Sequence, residues 1–314
     1  MATIIKHTDP VLLIGDGDLT ASVAVCLLNA GHKLDVCSSN EITFHQLFNT
    51  HVASQEKNTK RYCDLKDLRI FTELPASLNY KLVIALTYEN KTAKQELISK
   101  LENVLEEDTV IAINTESISL SALRNNGVNK ERIIGLNWTE PAHTTFFLEI
   151  IAAEENLGVA DDICLLAKSY WGKDPYIVKD SGIRSRLISA MAREASFLVD
   201  NGYASVEDID RACRNDAGYY LPFSGNCRYM DLMGTYAYGM VMKSLNSDLS
   251  KSKEFPEFFN KILENGGLGM ENNKGFYAYS DETVNNWKKA MEEFSYQINE
   301  IIEKYPFNYK KENI

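Results

Sequence analysis

Two glycines at the spacing of a phosphate-binding turn lie in the segment Gly15-Asp16-Gly17-Asp18-Leu19-Thr20. The segment follows a short apolar run at 11–14, which has the form of a buried strand, and precedes residues with helical periodicity. In that position glycine permits a tight turn, and backbone N–H groups approach a pyrophosphate whose charge the helix N-terminus stabilises. The spacing therefore predicts a dinucleotide site formed by Gly15, Asp16, Gly17, Asp18 and Leu19.

Three features depart from the usual dinucleotide pattern. Thr20 stands where a third glycine or an alanine normally allows close packing of helix on strand. About twenty residues later, where a carboxylate would bind the adenosine ribose, the chain has Ser38-Ser39-Asn40, with neither a carboxylate nor an arginine. Asp16 and Asp18 add negative charge beside the expected phosphates. Two alternatives stay open: a site for NAD or NADP to which Ser38 contributes, and a turn that requires glycine but binds no cofactor.

Short apolar runs alternate with helical patterns through the first half of the chain. Runs with the form of buried strands occupy residues 11–14, 33–37, 82–86, 110–113, 132–136, 147–151 and 176–178, and helices are expected near 21–28 and 91–105. Because consecutive parallel strands need a crossover such as a helix, the alternation predicts an α/β fold: a parallel sheet with helices on both faces.

From Gly182 onward the pattern becomes helical, with almost no strand signal. One apolar stripe contains Leu187, Ile188, Met191, Ala195 and Leu198. Ser205 and Asp208 have the spacing that caps a further helix. We expect two domains, residues 1–180 with the sheet and residues 181–314 all-helical, since 314 residues are too many for one compact core.

Composition and charge narrow the function classes. Hydrophobic residues make up 45% and charged residues 25% of the chain, which is typical of globular proteins rather than disordered or coiled-coil ones. A net charge of −11 argues against nucleic acid as a partner, since a polyanion gains nothing from an acidic surface. The first ten residues lack the form of a signal peptide, and no run reaches the ~18 apolar residues of a membrane span, so we expect a cytoplasmic protein without a membrane partner. Six cysteines without a CxxC pair indicate reduced, mostly buried thiols.

Several longer blocks of sequence extend the pattern beyond the glycine turn. In the first half they are Val83-Ile84-Ala85-Leu86 with Glu89 and Lys94, Ile113-Asn114-Thr115, Gly135-Leu136-Asn137-Trp138-Thr139-Glu140-Pro141 and Leu148-Glu149-Ile150-Ile151. In the second half they are Ala204-Ser205-Val206-Glu207-Asp208-Ile209-Asp210, Leu221-Pro222-Phe223, Asp231-Leu232-Met233-Gly234 and Lys274-Gly275-Phe276-Tyr277. In content and spacing these blocks resemble the 3-hydroxyacyl-CoA dehydrogenase family, and the resemblance runs from Val11 to Tyr279.

The resemblance implies a Rossmann-type doubly wound parallel sheet followed by an all-α C-terminal domain that binds substrate and forms a homodimer. It also implies NAD as the cofactor and, as the activity, oxidation of the 3-hydroxyl group of an acyl-CoA or a related 3-hydroxy acid. Glu89, Lys94 and Asn114 match positions that look like cofactor-side contacts of the family.

The same resemblance shows changes at the expected active site. Asn137 stands at the position of the family's catalytic histidine, whereas Glu149, which orients that histidine, is retained. Glu116 replaces a serine and Glu140 replaces an asparagine. Ser185 replaces an active-site asparagine at the start of the first long helix.

Loss of the imidazole changes the chemistry that is open to the site. Oxidation of a secondary alcohol needs a base within hydrogen-bond reach of the hydroxyl proton, and its removal costs about 10²–10⁴ in rate. If Glu89, Glu116, Glu140 and Glu149 surround the vacant position in an interdomain cleft, at least one of them should have a raised pKa. We hypothesise that Glu140 or Glu116 is the base, on a substrate with an amine in place of the anionic CoA. Two alternatives stay open: these glutamates lie on solvated loops, or the protein is a catalytically inactive binding or scaffold member of the family.

Three further features have less specific interpretations. His143 lies six positions after Asn137 on an expected loop, which favours a surface or capping role over catalysis. Lys57, Lys60 and Arg61 form a basic run that suits a CoA phosphate or a solvated loop, in a stretch that is shorter than in the family. The four glutamates lack the spacing of a calcium-binding loop, so no metal is predicted.

Overall fold

The strand β1 (Val11–Gly15) lies inside an eight-stranded sheet in the computed structural model, which describes residues 5–74, 79–125 and 127–305. The other strands are β2 Leu34–Cys37, β3 Leu68–Phe71, β4 Leu82–Leu86, β5 Val110–Ile113, β6 Ile133–Trp138, β7 Leu148–Ala152 and β8 Tyr176–Lys179. Their order in the sheet is β3-β2-β1-β4-β5-β6-β7-β8. From β1 the chain adds β2 and β3 on one side of the sheet, and β4 then begins the other side next to β1. In such sheets ligands bind at the carboxyl ends of the strands where the strand order changes side.

The expected doubly wound α/β sheet is confirmed, but the expectation that it is wholly parallel is wrong for β7 and β8. Strand β7 runs antiparallel to β6, with Asn137 opposite Glu149, and β8 is parallel to β7. The other neighbouring strands are parallel. The connection 139–147 contains no helix. A parallel return needs a crossover of about a dozen residues or more, so this short loop leads into antiparallel pairing.

Helices cover both faces of the sheet. Helices α1 (Gly17–Asn29), α2 (Glu41–Thr59) and α5 (Leu157–Tyr170) share one core with the sheet, and α3 (Lys91–Val104) and α4 (Leu120–Leu123) share the other. Strand β3 and helix α2 were not predicted from the sequence. The residues of β3 are only half-buried and α2 is mostly polar, so neither has a strong apolar period.

The chain divides into two compact units, Met1–Arg186 and Leu187–Ile314. Its C-terminal helices are α6 Arg184–Asp200, α7 Val206–Ala212, α8 Gly218–Met233, α9 Thr235–Leu245, α10 Glu257–Glu264 and α11 Asp281–Lys304. The predicted all-α character of this half is confirmed, and Ser205 caps α7 by accepting from the Asp208 N–H at 3.1 Å. Few described residues of this unit are buried; they are Ser224, Ser250, Val284 and Ser295. In the part of the chain that the structure describes, no helix combines the length and apolar character needed to cross a membrane.

Candidate active site

A cavity of about 530 Å³ opens at the carboxyl ends of β1, β4 and β5. The predicted cofactor residues 15–19 and Asn114 line it, and so does Glu140. Thr87 and Tyr88 also line it, although no motif indicated them. Their position could have indicated them, because both residues directly follow the predicted strand 82–86 and so lie at its carboxyl end.

The two glycines of the turn are required for different reasons. A Cβ on Gly15 would lie 2.5 Å from the backbone oxygen of Leu86, so only glycine lets the turn approach β4. Gly17 has a φ of +79°, where glycine is favoured, and a Cβ there would meet no atom within 4 Å. The space over the turn is therefore open to a ligand. Thr20, in place of the third glycine, is buried and its hydroxyl donates to the Asp16 carbonyl oxygen at 2.9 Å, so the helix accommodates it.

The Asp16 side chain crosses from the glycine turn to the end of β2. Its Oδ1 accepts from the Ser38 hydroxyl at 2.7 Å and from the Ser39 N–H at 2.8 Å, and its Oδ2 accepts from the Ser39 hydroxyl at 2.9 Å. Partial burial opposes ionisation, but these hydrogen bonds outweigh it and hold the pKa of Asp16 below its ordinary value. Ser38 thus contacts Asp16, whereas Ser39, which was not predicted, lines the cavity.

Lys94 supports Asn114 from inside the protein. Its side chain is fully buried, and its Nζ donates to the Asn114 carbonyl oxygen at 2.7 Å and to Asn114 Oδ1 at 2.9 Å. Asn114 Oδ1 also accepts from the Thr87 N–H at 2.8 Å. Burial is the main reason that the pKa of Lys94 lies below its ordinary value. The structure therefore places Lys94 behind the cavity wall rather than in it, contrary to the expected direct contact with a cofactor.

Glu89 holds the loop that follows β5. Its Oε1 accepts from the N–H groups of Glu116 at 3.0 Å, Ser117 at 2.7 Å and Ile118 at 3.0 Å, and its Oε2 lies 3.5 Å from Lys94 Nζ. Burial would raise the pKa of Glu89, but the backbone donors and the Lys94 ammonium outweigh it and lower the pKa. Glu89 is thus an ionised anchor of this loop, and it is not the glutamate for which a raised pKa was expected.

Asn137 is buried, and three hydrogen bonds occupy its amide. Its Nδ2 donates to the Thr115 carbonyl oxygen at 2.7 Å and to Glu149 Oε2 at 2.9 Å, and its Oδ1 accepts from the Thr115 N–H at 2.7 Å. Glu149 Oε1 accepts in turn from the Tyr176 hydroxyl at 3.1 Å and the Ile183 N–H at 2.8 Å. Because an amide has two N–H donors, both donors of Asn137 are in use. Asn137, which is part of β6, therefore connects Thr115 after β5 with Glu149 in β7.

Glu116 and Ser185 lie together at the start of α6. Both carboxylate oxygens of Glu116 are 3.1 Å from Arg184 Nη1, and the Ser185 hydroxyl donates to Glu116 Oε2. The Arg184 guanidinium and the Ser185 hydroxyl therefore occupy the Glu116 carboxylate. Among the four glutamates of the expected acidic pocket, Glu140 is the one that lines the cavity.

Comparison with known proteins assigns these features to a family. Residues 10–181 match the model of the 3-hydroxyacyl-CoA dehydrogenase NAD-binding domain, and residues 183–279 match the model of the 3-hydroxyacyl-CoA dehydrogenase C-terminal domain. The chain belongs to the 3-hydroxyacyl-CoA dehydrogenase family. Its glycine turn and cavity thus lie in the NAD-binding domain of that family, which confirms NAD as the cofactor expected from the resemblance.

Individual relatives of this 3-hydroxyacyl-CoA dehydrogenase family member differ in what they act on. The 5-formyl-3-hydroxy-2-methylpyridine 4-carboxylate 5-dehydrogenase of Mesorhizobium japonicum is 27% identical over 205 residues, 64% of this chain and 66% of the relative. The 3-hydroxyadipyl-CoA dehydrogenase of Escherichia coli is 28% identical over 293 residues, 88% of this chain and 60% of the relative. The matched regions therefore span about two thirds or less of these relatives.

A solved structure shows the same fold as this family member over nearly its whole length. It is a 5-formyl-3-hydroxy-2-methylpyridine 4-carboxylic acid 5-dehydrogenase, described as an NAD⁺-dependent dismutase. The TM-score is 0.86 at 22% identity, with 95% of this chain and 100% of the solved chain covered. At this identity the likeness concerns the fold alone.

His143 and the basic run take different places in this family member. The His143 ring is 5.1 Å from the His51 ring, and His51 Nε2 is 2.9 Å from Asp18 Oδ1. Burial is the main reason that the pKa of His143 is lowered to about 3. His143 is thus neutral at physiological pH. The run Lys57, Lys60 and Arg61 is exposed at the C-terminal end of α2 and is not part of the cavity wall.

Proposed function

We propose that this chain is an NAD-dependent oxidoreductase that acts without an imidazole at position 137. Its substrate is an acyl-CoA with a 3-hydroxyl group or a related 3-hydroxy acid, or the matching 3-oxo compound in the reverse direction. The observation that carries the proposal is the cavity at the carboxyl ends of β1, β4 and β5, which Gly15, Gly17, Asn114 and Glu140 line together. The family's NAD-binding domain and the 3-hydroxyadipyl-CoA dehydrogenase relative support it.

Each residue has a separate role in this proposal. When bound, NAD supplies the hydride acceptor. The backbone of Gly15 and Gly17 binds the pyrophosphate, because the turn is open and precedes the N-terminus of α1. Asn114, which Thr87 and Lys94 hold in place, orients the cofactor from the other side of the cavity. Glu140 accepts the hydroxyl proton of the substrate, since it is the carboxylate of the expected set that lines the cavity.

A second candidate function has its own support. Both N–H donors of Asn137 are held by Thr115 and Glu149, so the position of the family's base has no proton acceptor directed at a substrate. A member that binds the dinucleotide but does not turn over would account for this arrangement.

Cofactor binding tests the first half of the proposal. We expect NADH to bind, measured by energy transfer from tryptophan to the nicotinamide. Gly17→Val should abolish binding, because its side chain would project into the open space over the turn. Gly31→Val is the matched control: Gly31 also has a positive φ, of +89°, and no atom near its Cβ, but it lies beyond the other end of α1. Equal binding by wild type and Gly17→Val would refute the placement of the cofactor.

Turnover separates the two candidate functions. NADH oxidation should be followed with acetoacetyl-CoA and with acetoacetate as substrates. In this direction Glu140 returns the proton to the substrate oxygen, so we expect Glu140→Gln to lower kcat by about 10²–10⁴, the contribution of a general acid. Glu116→Gln should have a much smaller effect, because Arg184 already engages that carboxylate. Tight NADH binding without turnover of either substrate would favour the binding protein.

We also propose that the chain forms a homodimer through its second unit. Large apolar side chains on its helices are exposed in the single chain, among them Leu187, Tyr219, Tyr236 and Trp287. Exposed apolar area of this extent is typical of an interface. Light scattering after gel filtration should give twice the 35.5 kDa of the chain, whereas a monomer at micromolar concentration would contradict the proposal.

A further inference from the structure

The carboxylate of Asp16 occupies a distinct place in the cavity. The Asp16 side chain starts in the glycine turn, and its carboxylate lies at the end of β2, where two hydroxyls and one backbone N–H donate to it. A carboxylate has about four acceptor sites, so these three donors leave Oδ2 able to accept one more hydrogen bond. Asp16 and Ser39 both line the cavity, as does Thr72 just after β3.

The end of β2 is the place where a dinucleotide fold needs a carboxylate. In such folds an acidic residue there accepts a hydrogen bond from the ribose 2′-hydroxyl of NAD, and its charge disfavours the 2′-phosphate of NADP. Here β2 is followed by Ser38 and Ser39, which are neutral. These two serines hold the Asp16 carboxylate by hydrogen bonds. The end of β2 therefore carries a negative charge, which comes from Asp16 and not from β2 itself.

We propose that Asp16 supplies, from the glycine turn, the carboxylate that β2 lacks, and thereby selects NAD(H) over NADP(H). Ser38 and Ser39 act as positioning residues that direct its Oδ2 toward the ribose. This inference rests on the proposed function, because it requires that the cavity binds a nicotinamide dinucleotide.

Titration of NADH and NADPH against the full chain at constant ionic strength tests the inference. For the wild type we expect NADH to bind at least 30-fold more tightly than NADPH. Asp16→Asn keeps the shape of the side chain but removes its charge, and it should narrow the ratio of the two dissociation constants at least tenfold. Glu41→Gln is the matched comparison: it removes one negative charge two residues after Ser39, at an exposed position in the first turn of α2 that does not line the cavity. The ratio for Glu41→Gln should stay within threefold of the wild-type ratio.

A second variant decides the matter if Asp16→Asn does not fold. Ser39→Ala removes the hydrogen bond to Oδ2 and keeps the backbone donor to Oδ1. It should narrow the ratio at least threefold, chiefly through weaker NADH binding. An unchanged ratio would overturn the inference.

The outcomes distinguish this inference from the proposed function. If the wild type binds NADH and folded Asp16→Asn keeps the same ratio, the inference fails and the proposed function stands. If the wild type binds neither cofactor but Asp16→Asn binds NADH, Asp16 blocks the cavity and the inference is overturned. If neither protein binds either cofactor, the proposed function itself fails.

Discussion

Asn137 of β6 and Glu149 of β7 are opposite each other in an antiparallel pair, and Asn137 Nδ2 donates to Glu149 Oε2 at 2.9 Å. The carboxylate therefore still receives an N–H from the position at which the family has its catalytic histidine. An imidazole nitrogen could make the same donation, but its second nitrogen would be free to accept a proton, which the amide cannot do. The hydrogen bond to Glu149 is therefore kept at position 137, but the basic nitrogen of the histidine is absent.

Restoring the imidazole should increase turnover. In the Glu140→Gln background, where the proposed base has been removed, we expect Asn137→His to raise kcat for acetoacetyl-CoA reduction by about 10²–10⁴, because Glu149 is placed to orient the ring. The cost is a loss of about 1–3 kcal/mol in the free energy of unfolding, since the Thr115 N–H and carbonyl oxygen lose their partners. Asn137→Gln, which keeps an amide, is the control and should not gain activity. A folded, NADH-binding Glu140→Gln/Asn137→His double variant that turns over no faster than Glu140→Gln would contradict this prediction.

The Asn137–Glu149 pair depends on a glycine beside it. A Cβ on Gly182 would lie 2.3 Å from Glu149 Oε2 and 3.3 Å from Asn137 Nδ2. Gly182→Ala should therefore displace the Glu149 carboxylate and lower the free energy of unfolding by about 1–3 kcal/mol in urea denaturation. Gly158→Ala, near the start of α5, is the control because its Cβ meets no atom within 4 Å. Equal stability of the two variants would contradict the close contact.

Replacing the buried lysine should damage both stability and cofactor binding. Lys94→Met leaves the oxygens of Asn114 and Thr87 without their charged donor, so the free energy of unfolding should fall by about 2–3 kcal/mol. NADH affinity should fall at least tenfold, because Asn114 loses its support in the cavity wall. Lys91→Met, at an exposed position in the first turn of the same helix, should change neither property. Full NADH affinity in Lys94→Met would show that Asn114 does not depend on it.

His143 should make stability depend on pH. Burial, with repulsion from His51 and Lys173, holds its pKa at about 3 in the folded chain, below the ordinary value of 6.5. As the pH falls below about 6.5, the unfolded chain binds a proton that the folded chain does not, so stability declines until the pH approaches the folded pKa. Between pH 7 and pH 5, wild type should lose about 1–2 kcal/mol more than His143→Asn in urea denaturation. His45→Asn, at an exposed site, should keep the wild-type dependence. Identical pH profiles for wild type and His143→Asn would contradict the burial of a neutral ring.

Local patterns in the sequence were sufficient for much of the fold. The strands 82–86 and 110–113 were predicted at their observed bounds, because continuous apolar runs between turn residues have few alternatives to a buried strand. The glycine turn was also predictable, since the close approach of Gly15 to Leu86 and the positive φ of Gly17 each require a residue without a side chain.

The direction of β7 and the partners of the site residues were decided by the tertiary structure alone. Nothing in the spacing indicated that Asp16 would reach Ser38 and Ser39, or that Glu116 would pair with Arg184 and leave Glu140 in the cavity wall. The physical reason is that apolar periodicity and glycine conformations act within a few residues of the chain. The hydrogen bonds of a carboxylate or an amide depend instead on which strand ends the completed sheet brings together.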